Sequence, residues 1–314
     1  MNSSIRGAFH RFLAAAAIAL ALALGVLAPF QAARASFPMT IAHQLGETVL
    51  TKKPERVVVF DFGALDTLDK LGVEVTGLPK TLIPAYLSKY NDARYVNVGS
   101  LQEPDFERIY ALAPDLILIS GRQESLYAEL SEIAPTIFVG VDAARYMESF
   151  EENARLLGKI FEKEEAVEAE LAKVREAVAA LRAKASASNQ KALVVLANDG
   201  RVSAYGPGSR FGLIHDELGF TPADPQIVSS THGQSISFEY ILDKDPDILF
   251  VIDRTAAIGG ESSVQAIIEN RLVRLTKAYE RNKIIYLEPD VWYLSGGGLV
   301  SVARMIEQVS AALE

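Results

Sequence analysis

The chain says much the same thing twice. The stretch FERIYALAPDLILISGR at 106–122 returns as FEYILDKDPDILFVIDR at 238–254, so Phe106 matches Phe238, Pro114 matches Pro246 and Arg122 matches Arg254. Each copy reads as a short amphipathic helix, a Pro-Asp break and a continuous apolar strand, and ends on an arginine just past the strand's carboxyl end. A duplicated unit of this kind predicts two related lobes, each with its own sheet. Ligands of open α/β sheets bind beyond the carboxyl ends of the strands, which places both arginines at the binding edge.

The rest of the chain follows the same pattern. Apolar runs of strand length occur at RVVVFD (56–61), DLILIS (115–120), TIFVG (136–140), ALVVLA (192–197), DILFVID (247–253) and KIIYLE (283–288). Helical patterns such as GALDTLDKLG and GLIHDELG separate them, each closed by glycine. Continuous apolar strands alternating with helices predict parallel sheets covered on both faces, so the expected class is α/β with two Rossmann-like lobes. Residues 148–185 contain no proline, one glycine and many strong helix formers. They predict one helix of roughly 35 residues, about 50 Å long, as a stiff connector. The expected organisation is an N-terminal segment 1–35, a lobe 36–146, the connecting helix 147–188 and a second lobe 189–314.

The first 35 residues predict the compartment. Arg6 and Arg11 precede an apolar run from Phe12 to Leu27, and Ala33-Arg34-Ala35 follows before Ser36. That is the pattern of a secretory signal with an A-x-A exit, so export and cleavage near Ala35 are expected. There is no cysteine, which excludes disulfides, thiolate metal sites and a lipid-bearing cysteine anchor. The net charge is −9, and losing the signal removes three arginines and no acidic residue. An acidic surface argues against nucleic acid or an anionic membrane as partner.

Candidate site residues lie in three connections. GPGSRFG (206–212) is a glycine-rich turn that fits neither a P-loop nor a G-x-S-x-G elbow. Arg210 within it, with amides at a helix start, favours an anion. His10 falls in the signal, His43 lies near the mature start and His215 reads as a packing residue on a helix, which leaves His232 in SSTHGQSISFEY (229–240). EPDVWYLSGGG (288–298) places Tyr293 in a strand-to-helix connection, where three glycines permit close backbone approach. Phenolate oxygen together with imidazole nitrogen suits ferric iron better than zinc.

GSRFGLIHDELG, HGQSISFEYIL, PDILFVIDR and WYLSGGG, in that order after a long helix, resemble the periplasmic binding proteins for ferric catecholate siderophores, the enterochelin-type receptors of the class III substrate-binding family. The resemblance implies two α/β lobes joined by a single long helix, with the ferric siderophore in the cleft. It implies that Arg122, Arg210 and Arg254 face the anionic complex and that His232 and Tyr293 can bind iron directly. It further implies no intrinsic cofactor, iron arriving only as the siderophore complex. The expected partners are an inner-membrane ABC permease with its ATPase, contacted by the duplicated carboxylates Glu107 and Glu239, and the receptor is expected to be a monomer.

Chemistry is consistent with this set. Two catecholates supply four oxygens to six-coordinate ferric iron, and a histidine and a tyrosine would fill the two remaining places. Two alternatives stay open on sequence alone. Haem also takes histidine and tyrosine as axial ligands. A hydrolase using Ser209 or Ser235 with His232 would need an orienting carboxylate and an oxyanion hole that no local motif supplies.

Overall fold

The computed structural model describes residues 36–261 and 263–314, so the expected signal segment lies outside the described residues. The first lobe opens with a hairpin of β1 (Met39–His43) and β2 (Gly46–Leu50). There follow β3 (Val57–Val59), α1 (Phe62–Lys70), β4 (Gly77–Leu78), β5 (Val96–Asn97), α2 (Phe106–Leu112), β6 (Leu116–Ile119), α3 (Tyr127–Ile133) and β7 (Thr136–Phe138). Its five-stranded sheet has the order β5-β4-β3-β6-β7 and every pairing is parallel. All residues of β3 and β6 are buried, which explains their unbroken apolar runs: both faces of the sheet are covered.

The segment expected to form one connecting helix is divided. It forms α4 (Tyr146–Phe161) and α5 (Glu164–Ser188), with Glu162 in the left-handed region at φ 58° between them. The helices fold back on each other, bound by Arg155–Glu168 and Arg175–Glu151 ion pairs. α4 lies over both cores: Leu157, Ile160 and Phe161 join that of the first lobe, whereas Tyr146, Met147, Phe150 and Ala154 share a cluster with Val167, Leu171, Val174, Leu181 and Ala185 of α5. Turning back at Glu162 lays α5 against α4 within that shared cluster. Gly158 allows the close crossing, since a Cβ there would stand 2.8 Å from a Val167 methyl. The long link is therefore α5 alone, 25 residues and about 37 Å. Near its start Glu170 pairs with Lys70 of α1, and near its end the Arg182 guanidinium donates to the carbonyls of Asp216 and Glu217.

The second lobe contains β8 (Lys191–Asn198), β9 (Arg201–Tyr205), α6 (Leu213–Asp216), β10 (Thr221–Pro222), β11 (Gln234–Ile236), α7 (Phe238–Lys244), β12 (Ile248–Asp253), α8 (Arg254–Ala257), α9 (Val264–Ile268), α10 (Lys277–Glu280), β13 (Ile284–Leu287), α11 (Pro289–Tyr293) and α12 (Leu299–Ser310). Strands β8, β12 and β13 pair in parallel, but β9 and β11 are antiparallel, so this sheet is mixed rather than parallel as expected. The cause is local: Asp199 and Gly200 both take positive φ between paired Asn198 and Arg201, the two-residue turn that Asp-Gly favours.

The repeat is reproduced to the level of its caps. Asp105 and Ser237 each cap a helix by accepting the amide three residues on. Each helix closes on a left-handed residue, Ala113 at φ 43° and Asp245 at φ 40°. The strands β6 and β12 then run at the same place beside β3 and β8.

Candidate functional site

Segments that follow β6, β9 and β12 deliver three arginines to one tyrosine. Arg122 lies in the turn after β6, Arg254 begins α8 directly after β12, and Arg210 sits in the turn between β9 and α6. Arg122 Nη2 and Arg210 Nη2 donate to the Tyr293 carbonyl at 2.9 and 2.7 Å, while Arg254 Nε donates to its phenol oxygen at 2.8 Å. The Arg210 guanidinium also stands over the Tyr293 ring, 4.2 Å from its centroid, with Arg254 at 5.6 and Arg122 at 5.9 Å. All four side chains are half-buried, so their charges act in a partly desolvated setting.

Electrostatics follow from this crowding. For Tyr293, burial opposes ionisation, but the Arg254 hydrogen bond and the charges of Arg210 and Arg254 outweigh it and hold the phenol below its ordinary value. Arg122 is lowered by burial and then by Arg210. Three like charges around one phenol are costly to assemble without an anion among them, and a polyanionic guest relieves that repulsion.

Several supporting groups carried no sequence signal. Asn198 Oδ1 accepts from Arg254 Nη1 at 2.9 Å and fixes the guanidinium. Asp61 lies behind Arg122: desolvation raises its carboxyl, opposed by the amides of Ala64 and Gly63, by Ser120 and by Arg122. Beneath the arginines runs an aromatic row, with Tyr205 against Phe211 at 4.7 Å and Phe211 against Trp292 at 6.4 Å. Only the Asp-Gly turn that makes the β8–β9 hairpin could have located Tyr205 in advance.

Other expected residues are placed differently. His232 is exposed on a loop that leads into β11 rather than directly into a helix, and its ring has no hydrogen-bond partner among the described residues. The next residue, Gly233, packs so tightly on the Tyr205 ring that a Cβ would stand 2.7 Å from it. The loop thus adjoins the cluster, although no hydrogen bond links His232 to Tyr293. Three amides of the GPGSRFG turn, where an anion was expected, are engaged within the protein. Asp216 accepts from the Gly208 amide at 2.7 Å, and the Ser209 and Gly212 amides bond within the turn. The Arg210 guanidinium of the same turn is directed to Tyr293. Ser209 is buried with its hydroxyl on the Gly206 carbonyl, and Ser235 is exposed on β11. His215 is buried, its Nδ1 3.0 Å from the Phe220 carbonyl. Glu107 and Glu239 are the second residues of α2 and α7, both exposed.

A separate groove of about 330 Å³, lined by Glu47, Thr48, Val49, Tyr127, Ser131 and Ile133–Thr136, shares no residue with the arginine cluster. Its one charged side chain is a carboxylate, which does not suit an anionic guest.

Comparison with known proteins agrees with the fold. The family profile described as periplasmic binding protein matches residues 57–291. The chain belongs to that family. It is 53% identical over 280 residues to the petrobactin-binding protein YclQ of Bacillus subtilis, covering 88% of each chain. The crystal structure of that protein matches with a TM-score of 0.86, over 88% of this chain and 98% of the other. The ferric-anguibactin-binding protein FatB of Vibrio anguillarum is 36% identical over 87% of this chain and 86% of its own. The catecholate-siderophore binding protein VctP of Vibrio cholerae matches at TM-score 0.83 and 39% identity, over 87% of this chain and 99% of the other. Two α/β lobes joined by α5 are the class III arrangement of the family. No helix among the described residues is long and apolar enough to cross a membrane.

Proposed function

We propose that the protein is an exported periplasmic receptor that captures a ferric catecholate siderophore, of the enterobactin type or a tetradentate bis-catecholate, in the cleft between its lobes. The observation that carries this reading is the convergence of Arg122, Arg210 and Arg254 on Tyr293 from both halves of the repeat. The names of YclQ, FatB and VctP support siderophore cargo, and that of VctP supports catecholate chemistry. The arginines supply charge-assisted hydrogen bonds to catecholate oxygens. When the siderophore leaves two iron positions open, Tyr293 fills one as phenolate and His232, on its exposed loop, closes down to fill the other. A ligand that already saturates the iron needs neither.

The loaded receptor is a monomer that docks on an inner-membrane ABC permease, with Glu107 and Glu239 meeting basic residues of that partner, one from each lobe. The permease's ATPase then drives transfer of the iron complex.

The test is a titration of the apo protein with ferric bis-catecholate and tris-catecholate complexes, followed by fluorescence of Trp292, which is buried next to Tyr293. Tight binding of both is expected, with His232→Ala and Tyr293→Phe weakening only the bis-catecholate. Full affinity for the bis-catecholate in both variants would contradict direct ligation. Haem in place of the siderophore would show itself as a sharp Soret band rather than a broad catecholate-to-iron band.

A further inference from the structure

Tyr293 lies where the chain crosses between the lobes. Trp292 packs in the cluster that holds Phe211 and Phe250 of the second lobe. Leu294 packs with Val59, Leu65 and Leu116 of the first. A few residues on, the start of α12 is tied to α1 of the first lobe. Asp66 of α1 accepts the amides of Val300 and Ser301 at 2.8 and 2.7 Å, and the neighbouring Thr67 hydroxyl accepts that of Leu299 at 3.3 Å. These are the first amides of α12, the donors that a helix cannot satisfy from within itself. Their cap comes from more than 200 residues away in the chain, in place of a side chain at position 298.

Two glycines of the Tyr293 loop are explained by close approach of the first lobe. A Cβ on Gly298 would stand 2.5 Å from the Asp66 Cγ, and one on Gly297 2.5 Å from a Val141 methyl. Tyr86 completes the enclosure: its hydroxyl donates to Asp66 at 2.9 Å and lies 2.9 Å from Ser295 Oγ. Ser301 Oγ donates to the Ser295 carbonyl at 2.7 Å. Desolvation raises the Asp66 carboxyl to about 6, against the Val300 and Ser301 amides and the Tyr86 hydroxyl, which lower it. A carboxylate held dry and fully bonded has little freedom to move.

We propose that Asp66, seconded by Tyr86, is a positioning residue for ligand capture: by capping α12 from the first lobe it fixes the Ser295–Gly298 loop and so the place of Tyr293. The inference rests on the reading of Tyr293 as an iron ligand, and the test separates the two.

The full-length mature chain is titrated with the ferric complexes of a synthetic bis-catecholamide and a tris-catecholamide, in Tyr293→Phe, Asp66→Asn and Tyr86→Phe. Tyr293→Phe should weaken the bis-catecholate selectively; if it changes neither affinity, the ligand reading fails and takes this inference with it. Given that selective loss, Asp66→Asn and Tyr86→Phe should each lower bis-catecholate affinity by about tenfold, the weight of one hydrogen bond to a charged group, and leave the tris-catecholate within about twofold. The iron–phenolate charge-transfer band should weaken in parallel. Unchanged bis-catecholate affinity in both variants, or equal loss for both ligands, would overturn the positioning role. Should Asp66→Asn fail to fold, Tyr86→Phe alone decides by the same two criteria.

Discussion

The two halves of the repeat share a cap, a left-handed helix end, a strand and a terminal arginine, yet their arginines act on different atoms of one residue. Arg122 reaches the Tyr293 carbonyl, whereas Arg254 reaches the phenol oxygen. The surroundings differ to match. Arg122 has a carboxylate, Asp61, near it, while Arg254 is steadied by the neutral Asn198. An arginine with a carboxylate close by has part of its charge answered within the protein. One steadied by an amide keeps its full charge for the phenol and for an anionic guest. Duplication thus supplied the positions, and the residues behind each position divided the work into holding the backbone and tuning the oxygen.

Removing both arginines should have the largest effect. Arg122→Ala with Arg254→Ala should cut affinity for a ferric bis-catecholate by about a thousandfold, as expected for two charge-assisted contacts of ~2 kcal/mol each, read by fluorescence titration. A loss no greater than that of either single variant would mean that one half of the repeat carries the site. Arg254→Ala alone should cost about thirtyfold by the same scale and should also change the pH dependence. Arg254 favours the ionised phenol, so its removal raises the Tyr293 titration, and complex formation should need a higher pH. Arg122→Ala should leave that titration nearly in place, and an equal upward shift in both would erase the distinction between the halves. Asp105→Ala and Ser237→Ala should each destabilise the fold by about 1 kcal/mol in chemical denaturation, and unequal losses would show that the caps are not equivalent. Smallest of all, Glu107→Lys with Glu239→Lys should leave ligand affinity within about twofold, as rim charges far from a contact do, while abolishing uptake in cells.

Much of this was legible in the sequence because it is written in local pattern. The six apolar runs gave strands at β3, β6, β7, β8, β12 and β13, and the repeat put Arg122 and Arg254 at matching strand ends. What escaped was set by distant partners. The break at Glu162 lets α5 turn back and share a core with α4, although nothing in EKEE forbids a continuous helix. In the GPGSRFG turn Asp216, eight residues on, occupies the Gly208 amide, a pairing that the turn's own residues do not reveal. Asp66 is one charge among others in the helical pattern GALDTLDKLG, and only the tertiary fold shows the amides it receives. The turn at Asp199-Gly200 was readable, since Asp-Gly between apolar runs signals a hairpin and hence an antiparallel strand.

A Tyr293 phenolate that reaches iron inside a cleft lined with guanidiniums is the central proposal. Resonance Raman spectroscopy of the ferric bis-catecholate complex tests this most directly. Iron–phenolate vibrations should appear in the unaltered protein and vanish in Tyr293→Phe, leaving only catecholate modes. Identical spectra from the two proteins would contradict the account.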